Sequence, residues 1–257
     1  MAERTRSSSL PFHVLGRFGL HDGPRALLTT VSADDVVANL ATIREGLSRA
    51  CVRAGREAGS VRIVAAAKGM HADAVAWVVQ AGIVDVGHNY VRELRAMQPR
   101  IPPARWHFIG TLQASSAHHV AAVADVVETL ASERAARRLA RRAAEAGRRI
   151  EALIEVDLTG ERSGVSPERL EGFAHEVMSM EGIALTGLMT LPPIPTDPED
   201  ARPFFAELRE LRDRLRVLAP QVVALSMGMS LDYEVAAEEG ATMVRIGTAL
   251  FGPRTPQ

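Results

Sequence analysis

The chain has 257 residues, of which 47% are apolar and 24% charged, a composition typical of soluble globular domains with a substantial core. Its 30 basic and 31 acidic residues nearly cancel, which argues against a general nucleic-acid surface. No apolar run reaches the roughly 18 residues that a membrane span needs, so we expect no membrane partner. The single cysteine, Cys51, excludes an internal disulfide and fits a reducing compartment, which predicts a cytoplasmic protein.

The first 30 residues contain no apolar stretch of the kind that forms the core of a signal peptide. Their arginines and serines, with few acids, resemble a transit peptide only faintly. We interpret residues 1–30 as a disordered N-terminal extension and predict one domain over residues 31–257.

A helix in "SADDVVANLATIREGLSRACVRAG" is the first predicted element after this extension. Ser32 stands where an N-cap residue is expected, and apolar residues recur at helical spacing at positions 36, 40, 43 and 47. A buried strand, "VRIVAAA", follows and ends on Lys68.

Strands and helices then alternate along the chain. The sequence next predicts helix "HADAVAWVVQAG", strands "IVDVGHN" and "RWHFIG", helix "SSAHHVAAV", strand "ADVVETL" and helix "SERAARRLARRAAEAG". Strand "RIEALIEVDL", helix "SPERLEGFAHEVMSM" with Ser166 as its cap, and strand "IALTGLMTL" follow. The last elements are helix "DPEDARPFFAELRELRDRLRVL", interrupted near its start by Pro203, strand "VVALSM", a helix near "LDYEVAAEEG" and strand "TMVRIGTAL".

Eight short strands that are apolar on both faces and separated by helices are typical of a parallel sheet covered by helices. We therefore predict an α/β protein with a (β/α)8 TIM barrel, in which the first helix precedes strand one. A doubly wound open sheet is the alternative, but no G-x-G-x-x-G follows the first strand, which disfavours it.

Lys68 is the only lysine among the 30 basic residues. Arginine keeps its proton in proteins, whereas a buried lysine can lose its proton and attack a carbonyl group. In a TIM barrel the functional residues lie at the C-terminal ends of the strands, which is where the sequence puts Lys68. The position therefore predicts a Schiff base with an aldehyde or a ketone, although a surface lysine without a function is the simpler alternative.

The stretch "MVRIGTALFG" runs from the last strand into Gly247, Thr248 and a possible short helix. Its backbone N–H groups and the Thr248 hydroxyl could bind a phosphate, and phosphate sites after strands seven and eight are common in this fold. Ser226 and Ser230, in "SMGMS" after strand seven, add hydroxyls beside the same place. A plain turn remains possible, but a Schiff-base lysine beside a phosphate site indicates pyridoxal 5′-phosphate (PLP).

Arg245 lies within the last apolar strand, where an unpaired charge would be costly. A guanidinium that points into the barrel could hydrogen-bond the pyridine nitrogen of PLP and keep it unprotonated, which makes the ring a weaker electron sink. The alternative is an ion pair with an acid at the rim.

The segments "VAAAKGM", "DVGHNYVREL", "WHFIGTLQ", "LIEVDLTGERSGVSPE", "LTGLMTLPP" and "LSMGMSLDYEVAAEEGATMVRIGTALFG" occur in the order typical of one family. Over roughly residues 32–254 the chain resembles the pyridoxal phosphate homeostasis proteins. The resemblance implies a barrel similar to the N-terminal domain of alanine racemase, the architecture of fold-type III PLP proteins. It also implies PLP on Lys68, Asn89 beside the cofactor, Arg245 near the pyridine nitrogen, and the phosphate held around Ser226, Ser230, Gly247 and Thr248.

The chain departs from the family pattern at His88, where "GENY" is usual and this sequence has "GHNY". The change replaces an acceptor-only carboxylate by a group that titrates near neutral pH. Of the other polar candidates, we interpret His107 as a core histidine and the Arg-rich helix as a solvated face. No metal site is predicted at His118 and His119, because they have no spaced partners.

These residues predict a protein that holds PLP as a Schiff base and releases it to apo-PLP enzymes, without robust catalysis of its own. The main alternative is a PLP-dependent amino-acid racemase, which needs a second base opposite Lys68. His88 and Tyr233 are the candidates for that base. A third hypothesis is an aldolase-like Schiff-base enzyme without PLP.

Overall fold

The structure is a computed structural model that describes residues 31–253. The predicted N-terminal extension, residues 1–30, lies outside the described residues. No helix among the described residues is both long enough and apolar enough to cross a membrane.

Eight parallel strands close into a barrel in chain order, and the last strand pairs with the first. This arrangement confirms the predicted (β/α)8 barrel and excludes an open sheet. The strands are β1 Arg62–Ala66, β2 Asp85–His88, β3 Arg105–Phe108, β4 Val126–Leu130, β5 Ile150–Glu155, β6 Ile183–Met189, β7 Ala224–Ser226 and β8 Met243–Ile246.

Helices surround the barrel, one before β1 and at least one after each strand. Within residues 31–253 the α-helices are α1 Ala33–Arg53, α2 Ala72–Gln80, α3 Val91–Met97, α4 Ala117–Val123, α5 Glu133–Glu145, α6 Leu170–Met178, α7 Arg202–Leu218, α8 Tyr233–Glu238 and α9 Thr248–Phe251. The sequence analysis missed α3, which is only two turns long. Its signal was the spacing of Val91, Leu94 and Met97, which puts three apolar side chains on one face.

Ser32 caps α1 as predicted. Its hydroxyl accepts a hydrogen bond from the Asp35 N–H at 3.1 Å, and the Asp35 carboxylate accepts one from the Ser32 N–H at 3.0 Å. This reciprocal pair satisfies two N–H groups that the first turn leaves without a helical partner. The inner face of α1 then packs against α2, α8 and α9, so the first helix helps to fasten the closing strands.

Short 3-10 turns precede α6 and α7. Ser166 stands before the turn Pro167–Arg169, but its side chain accepts no hydrogen bond from the N–H groups of that turn, and α6 starts only at Leu170. Pro203 lies in the first turn of α7, directly after the 3-10 turn Pro198–Ala201. A proline is tolerated there because the first-turn N–H groups have no helical acceptor, so Pro203 marks the start of α7.

Two apolar clusters form the core of the described part of the chain. The larger one joins the outer strand faces to the helices. The smaller one occupies the bore of the barrel and consists of Val64, Val126, Leu153, Met189, Ala224 and Met243. Successive side chains of a strand point to opposite faces of the sheet. The residues next to these six in each strand therefore face the helices, whereas the six face the bore.

Candidate functional site

The predicted site residues converge on one sector of the upper mouth, where the strands end. In the pairing of β1 with β8, Val64 lies opposite Arg245 and Ala65 opposite Ile246. Lys68 follows β1 within a turn, and Gly247 directly follows β8. Neighbouring strands therefore bring the amine, the guanidinium and the loop after β8 to the same sector of the mouth.

Lys68 is half-buried, and its side-chain nitrogen lies 5.3 Å from the centroid of the Tyr90 ring. Within residues 31–253 this nitrogen forms no ion pair, so no carboxylate competes for it. An amine that is near the mouth and free of a salt bridge is accessible to a carbonyl compound.

Asn89 follows β2 and is held by a close approach of two loops. Its side-chain nitrogen donates to the Ile109 carbonyl oxygen at 3.4 Å. A Cβ atom at Gly110 would lie 2.0 Å from the Asn89 carbonyl oxygen, so only glycine fits at position 110. The glycine thereby fixes where the Asn89 backbone can lie.

Arg245 points into the bore and is only 5% exposed. Nη1 donates to the Ser226 carbonyl oxygen at 2.9 Å and to Ser226 Oγ at 2.6 Å, and Nη2 donates to the Thr190 carbonyl oxygen at 2.9 Å. A guanidinium has five N–H donors, so three bonds leave two N–H groups for another acceptor. Burial lowers the pKa of Arg245, while Glu128 and other carboxylates oppose that shift. The group stays cationic.

The sequence analysis missed the residues that hold this arginine. Ser226 Oγ donates to Glu128 Oε2 at 2.5 Å, and Glu128 Oε1 lies 2.6 Å from His107 Nδ1. His107 Nε2 lies 2.8 Å from Asp85 Oδ1 on the lower side. The interpretation of His107 as a core histidine missed these two ionic contacts. The signal was a carboxylate inside the apolar strand "ADVVETL", which is as unusual there as Arg245 is in β8.

The predicted phosphate site lies at the ends of β7 and β8. Ser230 Oγ accepts a hydrogen bond from the Ala249 N–H at 3.1 Å. Across residues 31–253, the N–H groups of Gly247 and Thr248 meet no protein acceptor. An anion of phosphate size needs such free donors, so this part of the mouth fits it.

Two residues of the "SMGMS" segment, Ser226 and Gly228, hydrogen-bond to Arg245. Ser226 is fully buried, and both the donor and an acceptor site of its hydroxyl are already used inside the bore. Gly228 has φ +92°, and a Cβ there would lie 2.5 Å from the Ala236 Cβ. Only glycine permits this turn, which lets the Gly228 carbonyl oxygen accept from the Arg245 N–H at 2.9 Å.

Two further acids surround the same arginine. Glu155 ends β5 on the face that Leu153 shares, and it is 8% exposed. Asp232 is 1% exposed and accepts from the Met229 N–H at 2.6 Å. Burial raises the pKa of both carboxyl groups above their ordinary values, although the charge of Arg245 opposes the shift.

The two residues that the sequence analysis offered as a second base do not face the bore. The ring of His88 lies 6.0 Å from that of Trp106, on the helix side of the sheet. Its Nδ1 lies 3.4 Å from Glu93 Oε2 without the alignment of a hydrogen bond. Tyr233 begins α8 and points its hydroxyl toward Gly46 of α1.

Other polar side chains contact near neighbours in the chain. Asp157 organises the loop after β5 by accepting from the N–H groups of Thr159 and Arg162 at 2.9 Å each. The rings of His118 and His119 lie 3.8 Å apart. No group of three metal-ligating side chains occurs within the described part of the chain.

Comparison with known proteins shows which family this chain belongs to. The family model "Alanine racemase, N-terminal domain" matches residues 36–255. A protein of Aquifex aeolicus (strain VF5) named pyridoxal phosphate homeostasis protein is 37% identical over 220 residues, which cover 84% of this chain and 96% of that protein. The resemblance recognised in the sequence is thereby confirmed.

Solved structures agree. PipY of Synechococcus elongatus PCC7942, determined with PLP bound, is 30% identical and matches with a TM-score of 0.75 over 84% of this chain and all of that chain. An alanine racemase of Clostridium difficile 630 matches with a TM-score of 0.69 at 17% identity, over 87% of this chain and 57% of the racemase. At that identity the match shows that the two proteins share the barrel fold.

Proposed function

The chain belongs to the pyridoxal phosphate homeostasis protein family, and from this premise we propose that it binds PLP as a Schiff base on Lys68. In this proposal the protein keeps intracellular PLP in a bound form and releases it to apo-PLP enzymes. It catalyses no sustained reaction itself.

One observation carries the proposal. Lys68, Arg245 and Gly247 come from two neighbouring strands whose register sets them side by side at the mouth of one barrel. When bound, PLP supplies an aldehyde that condenses with a primary amine and a ring that withdraws electrons from the product. The three residues match its aldehyde, its ring nitrogen and its phosphate in that order.

The arrangement of donors supports a role for each remaining residue. We assign the phosphate to the free N–H groups of Gly247 and Thr248, with Ser230 beside them. Asn89, fixed against Gly110, flanks the ring. A phosphate contact of Ser226 stays a prediction, since its hydroxyl already joins Glu128 to Arg245.

The charge at the ring nitrogen supports weak catalysis. Arg245 keeps two N–H donors for an acceptor, and a cationic donor favours an unprotonated pyridine nitrogen. A ring in that state withdraws fewer electrons than one that faces a carboxylate. His88 and Tyr233 also lie away from the bore, so neither is placed to act as the second base of a racemase.

The test is reduction of PLP-loaded protein with borohydride, followed by peptide mass mapping. Lys68 is the only lysine, so a single side chain can carry the reduced adduct. Lys68→Arg keeps the charge but removes the nucleophile and should abolish the adduct, whereas Arg92→Lys, which adds a lysine on the exposed start of α3, should leave the adduct on Lys68. A protein without an adduct on Lys68 would contradict the proposal.

One observation favours racemase activity as a second candidate. Glu155 is an acid of raised pKa that faces the bore at β5, across the barrel from β1. An acid there could exchange a proton with a bound amino acid on the side opposite Lys68. Turnover of D- or L-amino acids that disappears in Glu155→Gln and in Lys68→Arg would establish it.

A further inference from the structure

A continuous chain of side chains crosses the bore from the lower mouth, where the strands begin, to Arg245. Asp85 of β2 contacts His107 of β3 at 2.8 Å, and His107 contacts Glu128 of β4 at 2.6 Å. Glu128 accepts from Ser226 of β7 at 2.5 Å, and Ser226 accepts from Arg245 of β8 at 2.6 Å. Five strands thus contribute one link each.

The hydrogen-bond chemistry fixes the charges along this chain. Carboxylates only accept hydrogen bonds, so His107, which lies between two of them, must donate from both ring nitrogens and be cationic. Burial by itself would lower the pKa of His107, but the bonds to Asp85 and Glu128 raise it above its ordinary value. Burial would likewise raise the pKa of Glu128, but His107, Arg245 and Ser226 together outweigh that effect and lower it. Negative and positive groups therefore alternate up to Arg245.

A well-packed core does not require this series of buried ionised side chains. His107 and Glu128 are 0% exposed, and apolar residues of similar volume often stabilise a core as well or better. The same bore holds an apolar cluster that includes Val126 and Leu153, one pleat from Glu128 and Glu155. Buried charges beside apolar neighbours on the same strands indicate a role in the site above them.

We propose that Glu128 is the positioning residue for the cofactor ring. Held from below by His107, its carboxylate fixes Ser226, and Ser226 and Glu128 together hold the guanidinium of Arg245, whose Nη1 lies 3.8 Å from Glu128 Oε2. Arg245 then presents its two remaining N–H groups toward the ring nitrogen. This inference rests on the proposed function and extends it to residues that do not touch PLP.

Other ionisable groups lie near Asp85 and near Arg245, the two ends of this series of hydrogen-bonded side chains. A test must leave those groups unchanged. At the lower mouth Arg62 and Arg105 lie 3.8 Å and 3.4 Å from Asp85, and Arg105 also lies 2.7 Å from Glu151. Arg62, Arg105, Glu151 and His107 line a cavity of about 200 Å³ at this end. At the upper end the neighbouring acids of Arg245 are Glu155 and Asp232.

The decisive variant is Glu128→Gln, which keeps the shape and an acceptor but removes the charge. Glu151→Gln is the matched control, because it makes the same change in the same bore, at a half-exposed residue outside the chain to Arg245. We expect Glu128→Gln to release PLP about 10-fold faster, the usual consequence of losing a charge-assisted hydrogen bond. The control should stay within about twofold of the wild-type rate.

A second readout needs no cofactor. In nitrogen-15 NMR spectra of unloaded protein, a fixed guanidinium gives separate Nη signals for Arg245, whereas a freely rotating one gives an average. We expect separate signals in the wild type and in Glu151→Gln, and averaged signals in Glu128→Gln and Ser226→Ala. Thermal unfolding of each variant shows that the compared proteins are folded, and Ser226→Ala carries the NMR test if Glu128→Gln does not fold.

Equal release rates in Glu128→Gln and Glu151→Gln, or unchanged Arg245 signals, would overturn the inference while leaving the proposed function intact. A wild-type protein that forms no adduct on Lys68 would instead remove the proposed function. In that case fixed Arg245 signals that depend on Glu128 would still show the link between the two residues.

Discussion

The side-chain nitrogen of Lys68 lies 5.3 Å from the centroid of the Tyr90 ring, so the only lysine of the chain rests over an aromatic face. A cationic amine is attracted to the negative face of an aromatic ring. Tyr90 comes from the loop after β2, next to Asn89, and Lys68 from the loop after β1. The contact therefore orders two neighbouring loops at the mouth of the barrel.

Loss of the aromatic ring should speed the reaction of Lys68 with PLP, because the ring stabilises the protonated amine and only the neutral amine attacks the aldehyde. An exposed cation–π contact contributes about 0.5–1 kcal/mol, so we expect Tyr90→Leu to form the adduct about 2- to 5-fold faster. Tyr90→Phe keeps the ring and should react at the wild-type rate. Stopped-flow absorbance after mixing with PLP gives both rates, and equal changes in the two variants would point to the hydroxyl instead.

Gly110 should not tolerate a side chain. A Cβ there would lie 2.0 Å from the Asn89 carbonyl oxygen, and backbone cannot move aside as a flexible side chain can. We expect Gly110→Ala to lower the free energy of unfolding by about 3 kcal/mol or more, as severe overpacking does. Gly172→Ala is the matched control, because its Cβ meets nothing within 4 Å. In α6 the control should gain about 0.5–1 kcal/mol in urea titrations. A tolerated Gly110→Ala would mean that the two loops are further apart.

His107 should make stability depend on pH in a predictable direction. Its folded pKa is raised above the ordinary value of 6.5 by Asp85 and Glu128, although burial opposes them. The stabilisation is therefore fully present below pH 6.5 and is lost as pH rises through the folded pKa. We expect the free energy of unfolding to fall in that window, with a slope of at most about 1.4 kcal/mol per pH unit.

His107→Gln removes the titrating group, so the same window should become flat. Urea titrations of both proteins from pH 6 to pH 9 give the difference. An identical pH dependence in wild type and His107→Gln would show that another group is responsible.

A substitution at His88 should change the free energy of unfolding without changing the affinity for PLP. Its ring is buried on the helix side of β2, and neither ring nitrogen has a hydrogen-bond partner among residues 31–253. Burial lowers the pKa of His88, although Glu93 opposes this shift. We expect His88→Leu to keep the adduct on Lys68 and to raise the free energy of unfolding by about 1 kcal/mol, since an unsatisfied polar group is removed. Absorbance titration with PLP and urea unfolding test the two parts. A weaker affinity for PLP would mean that position 88 acts on the cofactor after all.

Much of the fold could be predicted because it depends on local patterns. Each strand is a short run apolar on both faces, and the helices carry apolar residues at helical spacing. Ser32 and Pro203 marked helix starts through chemistry that involves only their near neighbours. The two-turn helix α3 was not predicted, although Val91, Leu94 and Met97 recur at helical spacing.

The sequence by itself also proposed Lys68, Arg245 and Gly247 as site residues, because each is a residue type that is out of place or unusual at its strand end. Only the tertiary structure shows which other charged side chains lie near these three residues. Glu128, His107 and Asp85 belong to three different strands, and their contacts exist only because closure of the barrel turns these side chains into one bore. The same holds for His88 and Tyr233, which the sequence offered as bases opposite Lys68. Both point away from the bore, because the register of the closed sheet sets which side of a strand or helix faces inward.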